Sequence, residues 1–115
     1  MPDLHQKLLP EPIRRINSAS FDGTFQPFLD ENLVASPITN PSRSLLIVNN
    51  SGVIVTISWD GVKGHVDLAA GAGYALDESA NAYSSTSLAT SANTQFYAKG
   101  TASTGYVNLS TFYAS

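Results

Sequence analysis

The stretch Leu45-Leu46-Ile47-Val48-Asn49-Asn50-Ser51-Gly52-Val53-Ile54-Val55-Thr56-Ile57-Ser58-Trp59-Asp60-Gly61 decides the fold. Val53, Val55, Ile57 and Trp59 fall on one side of an extended chain and Ile54, Thr56 and Ser58 on the other, the period of two that a half-buried strand requires. A second apolar run, Leu45 to Val48, precedes it. Asn50-Ser51-Gly52 lies between the runs and Asp60-Gly61 closes the second, and these residue types tolerate the positive φ of a tight reversal. The pattern predicts a β-hairpin that turns at residues 50–52, within an all-β scaffold.

Working outward, the C-terminal segment alternates in the same way: Val107, Leu109 and Thr111 share one face, and Tyr106, Asn108, Ser110 and Phe112 the other. Gln95 to Gly100 is predicted as the preceding strand, joined to Gly105–Tyr113 by the tight connection Thr101 to Thr104. Upstream, Ile13 to Phe28 reads as a strand pair turning at Asp22-Gly23, with Phe21, Phe25 and Phe28 as apolar contributors. Pro27, Pro37 and Pro41 place residues 29–43 in a loop or at a sheet edge, because proline cannot donate to a central ladder. A short strand at His65–Leu68, a turn at Ala69 to Gly73, Tyr74-Ala75-Leu76 and an Asp77-Glu78 corner follow. Residues 79–94, rich in Ser, Ala and Thr, read as a surface excursion.

Seven or eight short strands with regular turn signals predict a β-sandwich, or jelly-roll-like single domain, over residues 13–115. Jelly-roll and immunoglobulin-like connectivities are equally compatible with the strand pattern. Residues 1–12 differ: Pro2, Pro10 and Pro12 prevent a long helix, and the segment reads as an extended N-terminal arm. Laid on another subunit, such an arm would bury Leu4, Leu8 and Leu9.

Composition narrows the function. The chain has 115 residues, no cysteine, and a net charge of −3. Disulfides, thiolate metal sites and a cysteine nucleophile are excluded, so burial and backbone pairing must hold the fold. Charged residues make up 13% of the chain, about half the usual share. Basic residues form one local pair, Arg14-Arg15, which is too little for phosphate binding, and nucleic acid is not expected as a partner. The N-terminus lacks the charged-then-apolar order of a signal peptide, and no apolar run approaches the ~18 residues of a membrane span. A soluble protein made in a cytoplasm is expected, with no membrane partner. The 24 Ser and Thr residues that replace charge suit a permanent protein neighbour, and equally an ordinary uncharged β-surface.

Candidate chemistry is sparse. His65 lies two residues from Asp67, but no nucleophile-elbow pattern accompanies the abundant serines, and a Ser-His-Asp triad is not expected. Asp60, Asp67, Asp77 and Glu78 lack the dense spacing of a calcium loop. Gly71 and Gly73 lack the lysine and following helix of a phosphate-binding loop. No catalytic residue, metal or cofactor is therefore assigned.

The succession of elements carries a resemblance. Arg14 to Gly23, then Pro37 to Arg43, Leu45-Leu46-Ile47-Val48-Asn49-Asn50-Ser51 and Val55-Thr56-Ile57-Ser58-Trp59-Asp60-Gly61 resemble small structural proteins encoded by tailed bacteriophages. Thr94 to Gly100 and Gly105 to Tyr113 fit the same pattern, so the resemblance spans residues 13–115. It implies a non-enzymatic virion component, made in the host bacterial cytoplasm. Such a component would bind copies of itself and other virion proteins such as capsid, portal or tail subunits. Two placements are compatible: a neck or tail ring, or a decoration protein on the capsid surface. The residues expected at subunit contacts are Leu4, Leu8 and Leu9 in the arm, Arg14 and Arg15 at its base, and the aromatic end Phe112-Tyr113. A carbohydrate-binding module, stacking Trp59, Tyr74, Tyr83 or Tyr97 on sugar rings, is the alternative from another class.

Overall fold

Alternating apolar residues become nine strands in the computed structural model, which describes residues 8–77 and 90–114. They are β1 (Leu8–Pro10), β2 (Arg14–Asn17), β3 (Gln26–Pro27), β4 (Ser42–Ser51), β5 (Val55–Ser58), β6 (Val66–Leu68), β7 (Gly73–Asp77), β8 (Tyr97–Lys99) and β9 (Gly105–Ala114). A 3-10 turn, Ser18–Ser20, follows β2, and Asn17 caps it by accepting the Ala19 N–H. There is no α-helix among the described residues.

Two antiparallel sheets form. In the first, β9 lies between β4 and a bulged edge made of β1 and β2 in series, and β7 flanks β4 on the far side. In the second, the order is β3-β8-β5-β6. The pairing has a simple rule: β2 pairs with β9, β3 with β8, β4 with β7 and β5 with β6. The chain is thus a long antiparallel ribbon whose tip is the β5–β6 hairpin. Two further pairings, β4 with β9 and β5 with β8, roll that ribbon into a sandwich-like pair of sheets.

Between the sheets lies one core. Ile16, Leu45, Ile47, Val107 and Leu109 enter it from the first sheet, and Val55, Ile57, Leu68, Phe96 and Ala98 from the second or its flank. Phe21, Phe28 and Ile38 close it from the connections. Each fully buried Ile or Phe contributes roughly 1.5–3 kcal/mol, so this cluster supplies most of the driving force.

The predicted hairpin at residues 45–61 is not one. β4 and β5 belong to different sheets, and the three residues between them carry the chain across the core. None of residues 50–52 has a positive φ. The alternation was read correctly, since Val55 and Ile57 are buried and Ile54 is exposed, but a strand facing across the core shows the same alternation as a hairpin partner. Two other predicted pairs fail for the same reason: β2 and β3 lie in different sheets, as do β8 and β9. The reversal at Asp60-Gly61 does close a hairpin, β5 to β6, with Gly61 at φ 76°.

Buried polar groups hold these crossings. Asn49 points into the core and is fully buried. Its Nδ2 donates to the carbonyls of Val53 (2.8 Å), Leu68 (3.0 Å) and Ala69 (3.1 Å), and its Oδ1 accepts from the Ser51 N–H (3.0 Å). One side chain thereby ties the β4–β5 crossing to the β6–β7 crossing. At the same end, Gly105 has φ 100°, and a Cβ there would collide with the Asn50 carbonyl, so only glycine starts β9 this way.

Candidate interaction surface

The first element of a possible site is the edge where β1 and β2 run beside β9. From Pro10, paired with Phe112, to Arg14, paired with Leu109, the edge has one residue more than β9, which makes a bulge at residues 11–13. Pro10 and Pro12 sit in this edge, where a missing N–H costs no ladder bond. The bulge turns Glu11 and Arg14 inward, and both are buried. Arg14 Nη2 donates to Glu11 Oε1 (2.9 Å) and to the Pro37 carbonyl (3.0 Å), and Nε donates to the Ser36 carbonyl (2.8 Å). Glu11 in turn accepts from the backbone N–H groups of Thr39 (3.1 Å) and Asn40 (2.8 Å) and from Asn40 Nδ2 (3.0 Å). Burial alone would raise the Glu11 pKa. The Thr39 and Asn40 hydrogen bonds and the Arg14 guanidinium outweigh it and hold the carboxyl below its ordinary value of 4.5.

Arg14, expected among the subunit contacts, has its guanidinium bonded inside the chain, where it pins the β3–β4 connection to the sheet edge. Arg15 is exposed, and its guanidinium lies 5.5 Å from the Tyr106 ring centroid. Leu8 is exposed and Leu9 half-buried, and both lie on β1, beside Ala114 and Tyr113 of the same chain. Phe112 and Tyr113 are half-buried on opposite faces of β9. Leu4 lies outside the described residues.

The second element is the outer face of the first sheet. Register places Leu46 beside Ser110 and Ala75, Val48 beside Asn108 and Gly73, and Phe112 beside Pro10 and Ser44. These residues alternate with the inward-facing core positions, and all are exposed or half-buried. Among the described residues, the charged side chains of this face stand at its margins: Arg15 on β2 and Arg43 in the bulge of β4. Asn108 Oδ1 is buried on this side with no hydrogen-bond partner.

The outer face of the second sheet is different. Thr56 donates to Asp67 (2.8 Å), and the Lys99 ammonium lies 4.7 Å from the Phe25 ring centroid. The β5–β6 hairpin folds over this face, with Gly61 against the Tyr97 ring and Gly64 against Thr56. Asp60 accepts from the N–H groups of Lys63 and Val62 and from Ser58, which holds its carboxyl down at about 2. A shallow open depression of about 500 Å³ lies between Ile54, Thr56 and Lys99.

The residues singled out for other chemistry are engaged elsewhere. His65 Nδ1 accepts the Trp59 N–H (3.0 Å), and the Ser58 hydroxyl donates to Asp60 rather than to His65. No group of three His, Cys, Asp or Glu residues among the described residues could hold a metal ion. Trp59 is packed edge-on against Tyr74 and tilted against Phe96 at the end of the core, and Tyr97 covers the Asp60-Gly61 turn. These three aromatics therefore do not gather into one open platform, and Tyr83 lies outside the described residues. No helix among the described residues is long and apolar enough to cross a membrane.

Sequence reasoning missed Leu33 and Val34. The turn Asp30–Val34 projects both into solvent, with Leu33 at φ 61° and 77% exposed. The signal was present in Asp30, whose carboxylate accepts from the Asn32 and Val34 N–H groups and fixes the turn. None of the family models, curated proteins or solved structures compared with this chain matches it.

Proposed function

We propose that this chain is a non-enzymatic structural subunit of a tailed-bacteriophage particle, binding neighbouring capsid, neck or tail subunits. The observation that supports the reading is the strand order β2-β9-β4-β7 against β3-β8-β5-β6. We read that order as a jelly roll: a ribbon of four antiparallel pairs rolled into two facing sheets, with β1 added to the edge of the first, an architecture used by viral capsid domains. A protein of this kind works by presenting rigid sheet faces and edges to its neighbours, and the clasp of Glu11 and Arg14 gives this one a rigid edge. The placement follows from the resemblance and divides between a neck or tail ring and a decoration position on the capsid.

The test is quantitative mass spectrometry of particles purified from a lysate in which the gene is expressed from the phage genome. The chain should co-purify at a fixed copy number relative to the major capsid protein, a multiple of the symmetry it occupies. Absence from the particles, together with retention on insoluble polysaccharide, would replace this reading with the carbohydrate-binding one.

A further inference from the structure

We infer that the outer face of the first sheet is a self-association surface whose occupant is the same face of a second copy of this chain. The inference rests on the structural-subunit reading for its purpose and names the partner. Three observations carry it.

The first is chemistry. Around the centre of the face stand Leu46, Val48, Ala75, Phe112 and Ser110, none of them charged. On the outer face of a sandwich, such positions are ordinarily polar, because alternation leaves them in water.

The second is charge. A twofold contact brings a patch against its own copy, so a patch carrying net charge repels itself, while an uncharged one does not. With a net charge of −3, two copies repel over most orientations. Face-to-face packing of the first sheets puts the charged groups of the second sheet, Asp60, Lys63, Asp67 and Lys99, on the outside of the pair, remote from the contact. The sparse charge also argues against nucleic acid or an anionic lipid surface on this face, since among the described residues Arg15 and Arg43 are its only basic ones and they stand at its margins.

The third is area. β4 and β9 have ten residues each. With β1 of three residues, β2 of four and β7 of five beside them, at about 3.4 Å per residue and about 4.8 Å between strands, the strands present roughly 500 Å² in projection. That is the scale of the about 800 Å² that each partner of a stable complex buries. Sheets stacked in this way sit about 10 Å apart, which Leu46, Val48 and Phe112 are long enough to fill.

The experiment is sedimentation equilibrium of the full chain from roughly 1 µM to 1 mM, with circular dichroism to verify folding of each variant. The wild type should dimerise. Leu46→Glu, and separately Ala75→Glu at an exposed position, should weaken dimerisation by at least about tenfold, because each places like charges opposite one another. Ile54→Glu, on the other side of the sandwich, should leave the dimer unchanged. Because the chain has no cysteine, Ser110→Cys introduces a single thiol near the centre of the face, and a short bis-maleimide should cross-link it into a covalent dimer, whereas Thr56→Cys should stay monomeric on denaturing gels. A wild type that is monomeric throughout would overturn the inference, and so would folded Leu46→Glu and Ala75→Glu variants that dimerise normally. Dimerisation through this face by a chain absent from particles would retain the inference and remove the virion reading; a chain present in particles but monomeric in solution would do the reverse.

Discussion

The two outer faces of this molecule are built by the same alternation and finished differently. On the second sheet, polar side chains find partners within the chain: Thr56 with Asp67, Lys99 with Phe25, and Ser58 with Asp60 beneath the Tyr97 ring. Water is the remaining neighbour. On the first sheet, the Asn108 Oδ1 is buried without a hydrogen-bond partner, and Leu46, Val48 and Phe112 stand among Asn108, Ser110 and Ser44 on the outward positions. The difference teaches that burial of the inner face does not determine the outer one. A sheet contributes equally to the core whether its far side is meant for water or for another protein, and only the outward residues record which.

The largest test of this comparison removes what both faces share. Arg14→Ala leaves Glu11 buried without its cation and frees the carbonyls of Ser36 and Pro37, so it should cost about 3–5 kcal/mol in urea unfolding. A loss under about 1 kcal/mol, the range of an exposed pair, would show that the edge clasp does not hold the sandwich. Asn49→Ala should come next. It leaves three carbonyls and the Ser51 N–H at two crossings without their partner, an expected cost of about 2–4 kcal/mol at about 1–3 kcal/mol per unsatisfied buried group, with some recovered by relaxation.

Acid sharpens the picture of the clasp. Because folding lowers the Glu11 pKa, its contribution is fully present above the ordinary value of 4.5 and is lost as pH falls through the lowered folded value. Urea stability of the wild type should therefore fall below pH 4.5, and Glu11→Gln should be less stable at neutral pH with a shallower acid slope. An unchanged slope in Glu11→Gln would assign the acid sensitivity to other carboxylates, Asp22 and Asp60 among them, whose folded values are also lowered.

A smaller effect of opposite sign is expected inside β9. The Thr111 hydroxyl is buried in the core with no hydrogen-bond partner, so Thr111→Val should raise stability by about 1 kcal/mol. Destabilisation would mean that a water satisfies that hydroxyl. Smallest of all, Ile54→Glu should change monomer stability by no more than about 0.5 kcal/mol, as expected for an exposed residue on a face already finished for water.

How much of this was legible in the sequence follows from what alternation encodes. The period of two identified the inward residues of β5 and β9 and the Asp60-Gly61 reversal, because those are properties of a single strand or a local turn. It did not identify partners. β4 and β5 both bury one side against the same core, and nothing in Val53-Ile54-Val55 says whether the neighbour lies beside the strand or across the core. One residue did carry that information. Asn49 continues the inward series Leu45, Ile47, and a polar side chain at an inward position marks the place where the chain leaves the sheet and its crossing needs hydrogen bonds. Glu11 and Arg14 were readable as a pair three residues apart, but only the bulge at residues 11–13, which no residue type announces, turns both inward. The uncharged outer face was visible as composition before it was visible as a place.

The most direct measurement for the central claim, that this chain is a structural subunit that works by contact, is cryo-electron microscopy of the purified particle. The account predicts density that fits the two-sheet fold at a defined symmetry position, with the outer face of the first sheet covered by a neighbouring subunit and the second sheet facing solvent. A particle without that density, or one in which the first sheet faces solvent while the second makes every contact, would contradict it.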